Sequence, residues 1–258
     1  MPRHLLSLAY DGTAYHGWQR QPHSSSVQET FEQALATLLR EDVALTGCGR
    51  TDTGVHARAY VAHFDCKAET LPEAFLRRLN GLLPQDLVAY ECRPAGASVA
   101  LPGQPLHARY DATRRAYRYE MVRRYDPFRR SSVWHYAQFD QLNQQLMQAA
   151  ADLLREYEDF APFRKSKSDA RTSRCRIDLA DWTFRADGAY LDIAADRFLR
   201  GMVRLVVGMC VNVGLGRMSL VEVRLALDEQ APLPRSWSVP AQGLALTEIA
   251  YPDWIVKN

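Results

Sequence analysis

The sequence predicts an α+β protein of two related units. Three observations predict it. Strand-like and helix-like segments follow one another in both halves of the 258-residue chain. Three Ser/Thr-x-x-Glu patterns mark helix starts, because such a pair satisfies the orphan N–H groups of a first turn. A Pro- and Gly-rich stretch, residues 94–106, separates the halves as a linker or long loop. The expected division is therefore residues 1–100 and 101–258.

Each element has its own signal. His4 to Tyr10 reads as a strand, followed by a polar loop through Ser25. Ser26 with Glu29 caps a periodic helix to about Arg40. Val43 to Cys48 reads as a strand running into the loop GRTDTGVHA, and Tyr60 to Cys66 as the next strand. Thr70 with Glu73 predicts a second capped helix, with Pro72 just inside it. Asp86 to Cys92 is strand-like, and so is Arg114 to Val122. Asp140 is placed to cap a helix to about Arg155. Cys175 to Phe184 and Tyr190 to Ala194 suggest a hairpin. Phe198 to Val213 reads as a long apolar helix ended by Gly214 and Gly216. Ser219 with Glu222 caps another, and Leu244 to Ile249 closes the chain as a strand.

Composition excludes several classes. Hydrophobic residues make up 47% and charged residues 24%, as in soluble globular proteins. No run of 18 apolar residues is present, and the first residues lack the apolar core of a signal peptide, so a cytoplasmic location is expected. The five cysteines are far apart and form no CxxC, which argues for reduced, packed thiols. The seven histidines show no ligand spacing, so no metal is assigned.

Net charge is only +2, but it is uneven. Segment 108–131 holds eight arginines against Asp111, Glu120 and Asp126, a net of +5. Segment 164–176 holds six Lys/Arg against Asp169, again +5, and reads as a mobile basic loop. Local positive fields of this kind suit a polyanion.

Three constellations carry candidate chemistry. In Gly47-Cys48-Gly49-Arg50-Thr51-Asp52-Thr53-Gly54-Val55-His56, glycines flank one carboxylate and Arg50 lies two residues from it. Glycine permits close approach by a ligand, and a nearby cation keeps a carboxylate ionised for nucleophile or base work. The competing reading is a plain turn, since Asp and Gly dominate turns. The loop matches neither a phosphate-binding nor a dinucleotide fingerprint. In Met202-Val203-Arg204-Leu205-Val206-Val207-Gly208, an arginine interrupts an apolar helical run. It shares a stripe with Gly201 and Gly208, where another backbone has room to approach. A buried arginine wants an acidic partner, and Asp52 is a candidate; an ion pair elsewhere or a snorkelling side chain are the alternatives. In Arg109 to Tyr119, arginines alternate with tyrosines, and Arg115, Tyr117 and Tyr119 would share one strand face. Such a face stacks on bases and neutralises phosphates, or else places its aromatics in the core.

Taken together, these segments resemble the tRNA pseudouridine synthase A (TruA) family over nearly the whole chain. The segments are YDGTAYHGWQRQPHSSSVQ, GRTDTGVHA, LNGLLPQDL, HARYDATRRAYRY, DFAPFRK, FLRGMVRLVVG and GLALTEIAYP. The resemblance implies two ferredoxin-like α/β halves, with mixed or antiparallel sheets facing a central RNA-binding cleft. It implies Asp52 as the catalytic aspartate, Arg50 as its neighbouring arginine, Tyr117 as the active-site tyrosine, Arg204 as the buried arginine and Leu244 as the leucine beside the uracil. It implies isomerisation of uridine to pseudouridine at positions 38, 39 and 40 of the tRNA anticodon stem-loop, by a homodimer with no cofactor. Two other classes explain less. A non-catalytic RNA-binding protein leaves Asp52 without a job. An RNA hydrolase usually wants a second acid, a histidine or metal ligands, and no matching set is found.

Overall fold

The computed structural model describes residues 1–164, 172–252 and 254–257. In chain order its elements are β1 (Arg3–Tyr10), α1 (Val27–Leu39), β2 (Thr46–Gly47), β3 (His56–Asp65), α2 (Phe75–Leu82), β4 (Leu87–Pro94), β5 (Arg114–Val122), β6 (Trp134–His135), α3 (Gln144–Leu153), β7 (Ile177–Phe184), β8 (Gly188–Ala195), α4 (Met202–Gly214), α5 (Leu220–Asp228), β9 (Leu244–Tyr251) and β10 (Trp254–Lys257). The class is α+β with mixed strand directions, as expected. The basic loop falls largely on residues outside the described ones.

Two compact units form, one from Met1–Arg115 with Leu246–Asn258, the other from Ala116–Ala245. The division does not fall at 100/101. Residues 94–106 are no linker, because the buried Asp111 carboxylate gathers them into the first unit. It accepts the Ser98 hydroxyl (2.7 Å) and the backbone N–H groups of Val99, Ala100 and His107 (2.7 Å each). The chain's last strands also return to the first unit.

In the first unit the chain runs β-α-β-β-α-β, and β2 lies beside β3 in the order β4-β1-β3. That is the ferredoxin-like arrangement. β1 runs antiparallel to both neighbours, pairing Leu6 with Ala62 and with Cys92. β9 lies on β3, and β10 on β9. α1 buries Val27, Phe31, Ala34, Leu35 and Leu38, a helical stripe. The Ser26 side chain accepts from the Glu29 N–H, as the cap pattern predicts, and Arg40 ends the helix in the left-handed region.

Several boundaries differ from expectation. Only Thr46–Gly47 of the Val43–Cys48 segment is strand, because the Leu45 N–H is taken by the Glu32 carboxylate instead of a ladder partner. β3 starts earlier, at His56. The Thr70/Glu73 cap does not form: α2 begins at Phe75 after Ala74, which has φ 55° and makes no side-chain cap.

In the second unit, β5-β8-β7 with α3 and α4 repeat the first three strands of the same motif. β7 and β8 form the expected hairpin. α3 is capped by Asn143 rather than Asp140, whose carboxylate pairs with Arg123 at 2.6 Å. α4 starts at Met202, not Phe198, because Gly201 stands in the left-handed region (φ 70°) at its N-cap. α5 carries the full Ser219/Glu222 capping box.

Candidate active site

The loop carrying Asp52 hangs between β2 and β3 in the first unit. Both bearing strands are short on freedom. β3 lies against β1, and the 11–20 loop folds over the Asp52 loop from its other side. Trp18 N–H donates to the Thr51 carbonyl at 3.3 Å, and Gly54 N–H to the Tyr15 carbonyl at 3.3 Å. Gly17 makes this possible. Its φ is +90°, and a Cβ there would stand 2.4 Å from the Thr51 carbonyl oxygen, so no side chain fits.

Three aromatic residues hold the stretch just before Asp52. The Tyr60 hydroxyl donates to the Gly49 carbonyl at 2.5 Å. The Tyr10 hydroxyl and the Thr51 hydroxyl share a hydrogen bond at 2.9 Å. Trp18 stacks on Tyr60 with ring centroids 4.1 Å apart. Asp52 itself is half-buried, and its carbonyl accepts the Val55 N–H at 3.1 Å. The backbone of this loop turns, as the competing reading expects, and the turn carries the Asp52 carboxylate. His56 ties the far end down, since Gly12 N–H donates to its Nδ1 at 3.1 Å.

Arg50 is exposed and donates through Nε to the Gln19 side-chain oxygen at 3.1 Å. Arg115 braces the loop from behind, donating to the Cys48 carbonyl at 3.0 Å and the Arg109 carbonyl at 2.8 Å. No local pattern announces this bracing role. Tyr10 and Tyr60 are not announced either, because in strands they look like ordinary core aromatics.

The other candidates lie in the second unit. Tyr117 on β5 is half-buried and meets Phe198 edge-on, with centroids 5.4 Å apart. Tyr119 is fully buried, donates to the Pro240 carbonyl at 2.9 Å, and belongs to the core. Burial pushes its hydroxyl well above the usual tyrosine range. The expected Arg115/Tyr117/Tyr119 face therefore divides three ways, and only Tyr117 keeps a half-open ring. Arg118 forms a bidentate pair with Asp192 at 2.7 and 2.8 Å and lies over the Tyr190 ring. Leu244 is buried at the start of β9.

Arg204 sits in the first turn of α4, half-buried, and donates through Nε to the Val239 carbonyl at 2.7 Å. It opens a stripe of three. Gly208, one turn on, lies so close to the Trp237 carbonyl that a Cβ would come within 1.9 Å of it. Asn212, another turn on, donates to the Arg235 carbonyl at 3.0 Å. Positions i, i+4 and i+8 of the helix thus meet alternate carbonyls of the 235–239 segment. The match has a geometric cause: four helical residues rise about 6.0 Å and two extended residues about 6.6 Å. The close backbone expected at Gly208 is that of Trp237.

Among the described residues, no group of three or more His, Cys, Asp or Glu is placed to hold a metal ion, and no helix is long and apolar enough to cross a membrane.

Comparison with known proteins bears on what this arrangement serves. A family model described as tRNA pseudouridine synthase matches residues 7–111 and 150–252, spanning both units. Proteins named tRNA pseudouridine synthase A are similar over essentially full length. The one from Azobacteroides pseudotrichonymphae is 40% identical, covering 100% of both chains. That from Porphyromonas gingivalis is 41% identical, covering 98% of each, and that from Geobacter sulfurreducens is 40% identical, covering 95% of this chain and 98% of its own. The chain belongs to the tRNA pseudouridine synthase family, whose members are isomerases acting on tRNA.

Proposed function

We propose that this protein converts uridine to pseudouridine at positions 38, 39 and 40 of the tRNA anticodon stem-loop, with Asp52 as its catalyst. The observation that carries the reading is the Asp52 loop. Hydrogen bonds from Tyr10 and Tyr60 and the seat at Gly17 hold one carboxylate at a strand end. That investment in backbone position is what a reacting group needs and a solvated turn does not.

The reaction breaks the N1–C1′ bond, turns the uracil and joins C5 to C1′. The proton lost from C5 is balanced by one gained at N1, so nothing is supplied from outside. The target base reacts only out of the stack, in a pocket. In this reading Tyr117 stacks on the flipped uracil and Leu244 packs against its other side. Asp52 acts ionised, either adding covalently to the nucleotide or removing a sugar proton to give a glycal. Arg204 orients Asp52 and favours its charged form. Arg50 occupies the space the base leaves, or contacts the backbone. The protein works as a cytoplasmic homodimer, with tRNA crossing both subunits.

The test is tritium release from tRNA labelled at uridine C5, with wild type and Asp52→Asn side by side. Release by the wild type alone, with both proteins binding tRNA, is the expected result. Tight binding without release by the wild type would leave a binding protein instead. Arg204→Leu is expected to lose most activity, and full activity in that variant would remove the pairing with Asp52.

A further inference from the structure

A second feature of the α4 face has no part in the chemistry above. At the Asn212 end of the stripe lies an open cavity of about 310 Å³, lined by Asn212, Arg217, Arg235, Ser236 and Trp237. Its lining includes two arginines, a serine and a tryptophan, and no acidic residue. We propose that it seats a phosphate of the tRNA backbone, an inference that rests on tRNA being the substrate.

The site is built, not a chance meeting of surface arginines. Asn212 is only 5% exposed, and it fixes both arginine-bearing backbones. Its carbonyl accepts the Arg217 N–H at 2.9 Å, and its amide donates to the Arg235 carbonyl at 3.0 Å. Trp237 is fixed too, through its carbonyl at Gly208 and an edge-on contact with Trp134 at 5.4 Å. Both arginines are exposed, and neither has an ion pair among the described residues. Arg217 donates to Gln138 at 2.8 Å and meets the Tyr136 hydroxyl, two partners for a guanidinium with five N–H donors. Glu222, the carboxylate that feels Arg235, is already held by the Ser219 N–H (2.7 Å) and hydroxyl (2.8 Å).

Two arginines lining an open cavity suit phosphate oxygens, which arginine binds through parallel N–H bonds. The opening favours a phosphodiester on a chain over an enclosed nucleotide. Asn212 lies eight residues beyond Arg204, about 12 Å along the helix. The contact is therefore separate from the Arg204 end, and it adds affinity without touching the reacting base.

The experiment measures binding of unmodified tRNA between about 50 and 200 mM salt for wild type, Arg217→Gln/Arg235→Gln and Arg217→Lys/Arg235→Lys. Thermal unfolding confirms that all three fold alike. The glutamine pair is expected to bind several-fold more weakly, with the slope of log K against log salt shallower by about 1. The lysine pair should recover the slope. In turnover the glutamine pair should raise KM and leave kcat alone, since the contact is equal in ground and transition states. An unchanged slope in the glutamine pair, or a lysine pair as weak as the glutamine pair, overturns the proposal. So does saturable binding of inorganic phosphate by the wild type with no loss of tRNA affinity in the glutamine pair, which assigns the cavity to a free anion. A wild type that binds no tRNA would refute the tRNA reading itself.

Discussion

Replacing Gly208 with alanine sets two physical effects against each other. On an isolated helix the change is favourable by about 1 kcal/mol, because glycine is a poor helix former. Here the new Cβ would stand 1.9 Å from the Trp237 carbonyl oxygen and 2.9 Å from its carbon. The 235–239 segment must retreat by roughly 1.5 Å to restore ordinary contact. Overpacking of this kind costs about 1–3 kcal/mol. The retreat also stretches the Arg204–Val239 bond, a charged donor worth about 1.5–3 kcal/mol, and the Asn212–Arg235 bond, worth about 1 kcal/mol. With the helix gain subtracted and the two bonds weakened but not lost, the net expectation is a loss of about 2–4 kcal/mol. At about 2–4 °C per kcal/mol for a chain of this size, Tm should fall by roughly 4–16 °C. Calorimetry and urea unfolding read the stability, and tritium release reads activity, which should fall with the displaced Arg204. A variant as stable as wild type, or more so, would mean that helix propensity wins and that the segment is not held on α4.

Three further outcomes are expected. Burial, with Arg3 and His107 nearby, pushes the His63 imidazole down to about 4. Its proton is therefore favoured in the unfolded chain, so stability is lost as pH falls from about 6.5 toward 4, by at most about 3 kcal/mol. His63→Gln should flatten that acid limb in urea unfolding, in part only, because His4 and His107 are lowered too; an unchanged limb would refute the assignment. Asp111→Asn replaces a buried acceptor of four donors with an amide that must face one of them with its own N–H, and should cost about 3 kcal/mol, or roughly 6–12 °C in Tm. Tyr60→Phe removes the hydroxyl on Gly49; kcat should fall about tenfold while tRNA affinity holds, and an unaltered kcat would show that the Asp52 loop needs no such support.

The sequence made much of this legible because local chemistry and fold agree there. Ser26 and Ser219 cap helices where their Glu partners said they would, and the alternation of β7 and β8 read directly as a hairpin. Thr70/Glu73 failed because the chain enters α2 through a left-handed Ala74, a conformation no local pattern announces. Residues 94–106 looked like a linker because Pro and Gly signal irregular backbone, not where that backbone goes. Asp111, several residues later, decides it. Asp52, Arg50, Tyr117, Arg204 and Leu244 were expected from motif and resemblance and form the proposed site. Arg115 was not, since its role depends on a carbonyl 67 residues away.

The segment laid along α4 imposes a rule on how this chain can change length. Its alternate carbonyls, at 235, 237 and 239, meet a helix stripe whose step differs from theirs by only about 0.6 Å. Three contacts fit within that mismatch before it accumulates to the width of a hydrogen bond's tolerance. One residue inserted or deleted between 235 and 239 would put the two ends of the segment out of phase, so that Arg204 and Asn212 could not both meet an inward carbonyl. Length variation is therefore tolerable before 235 and forbidden within it, so that the span joining Arg204 to the arginine cavity works as a ruler of fixed parity.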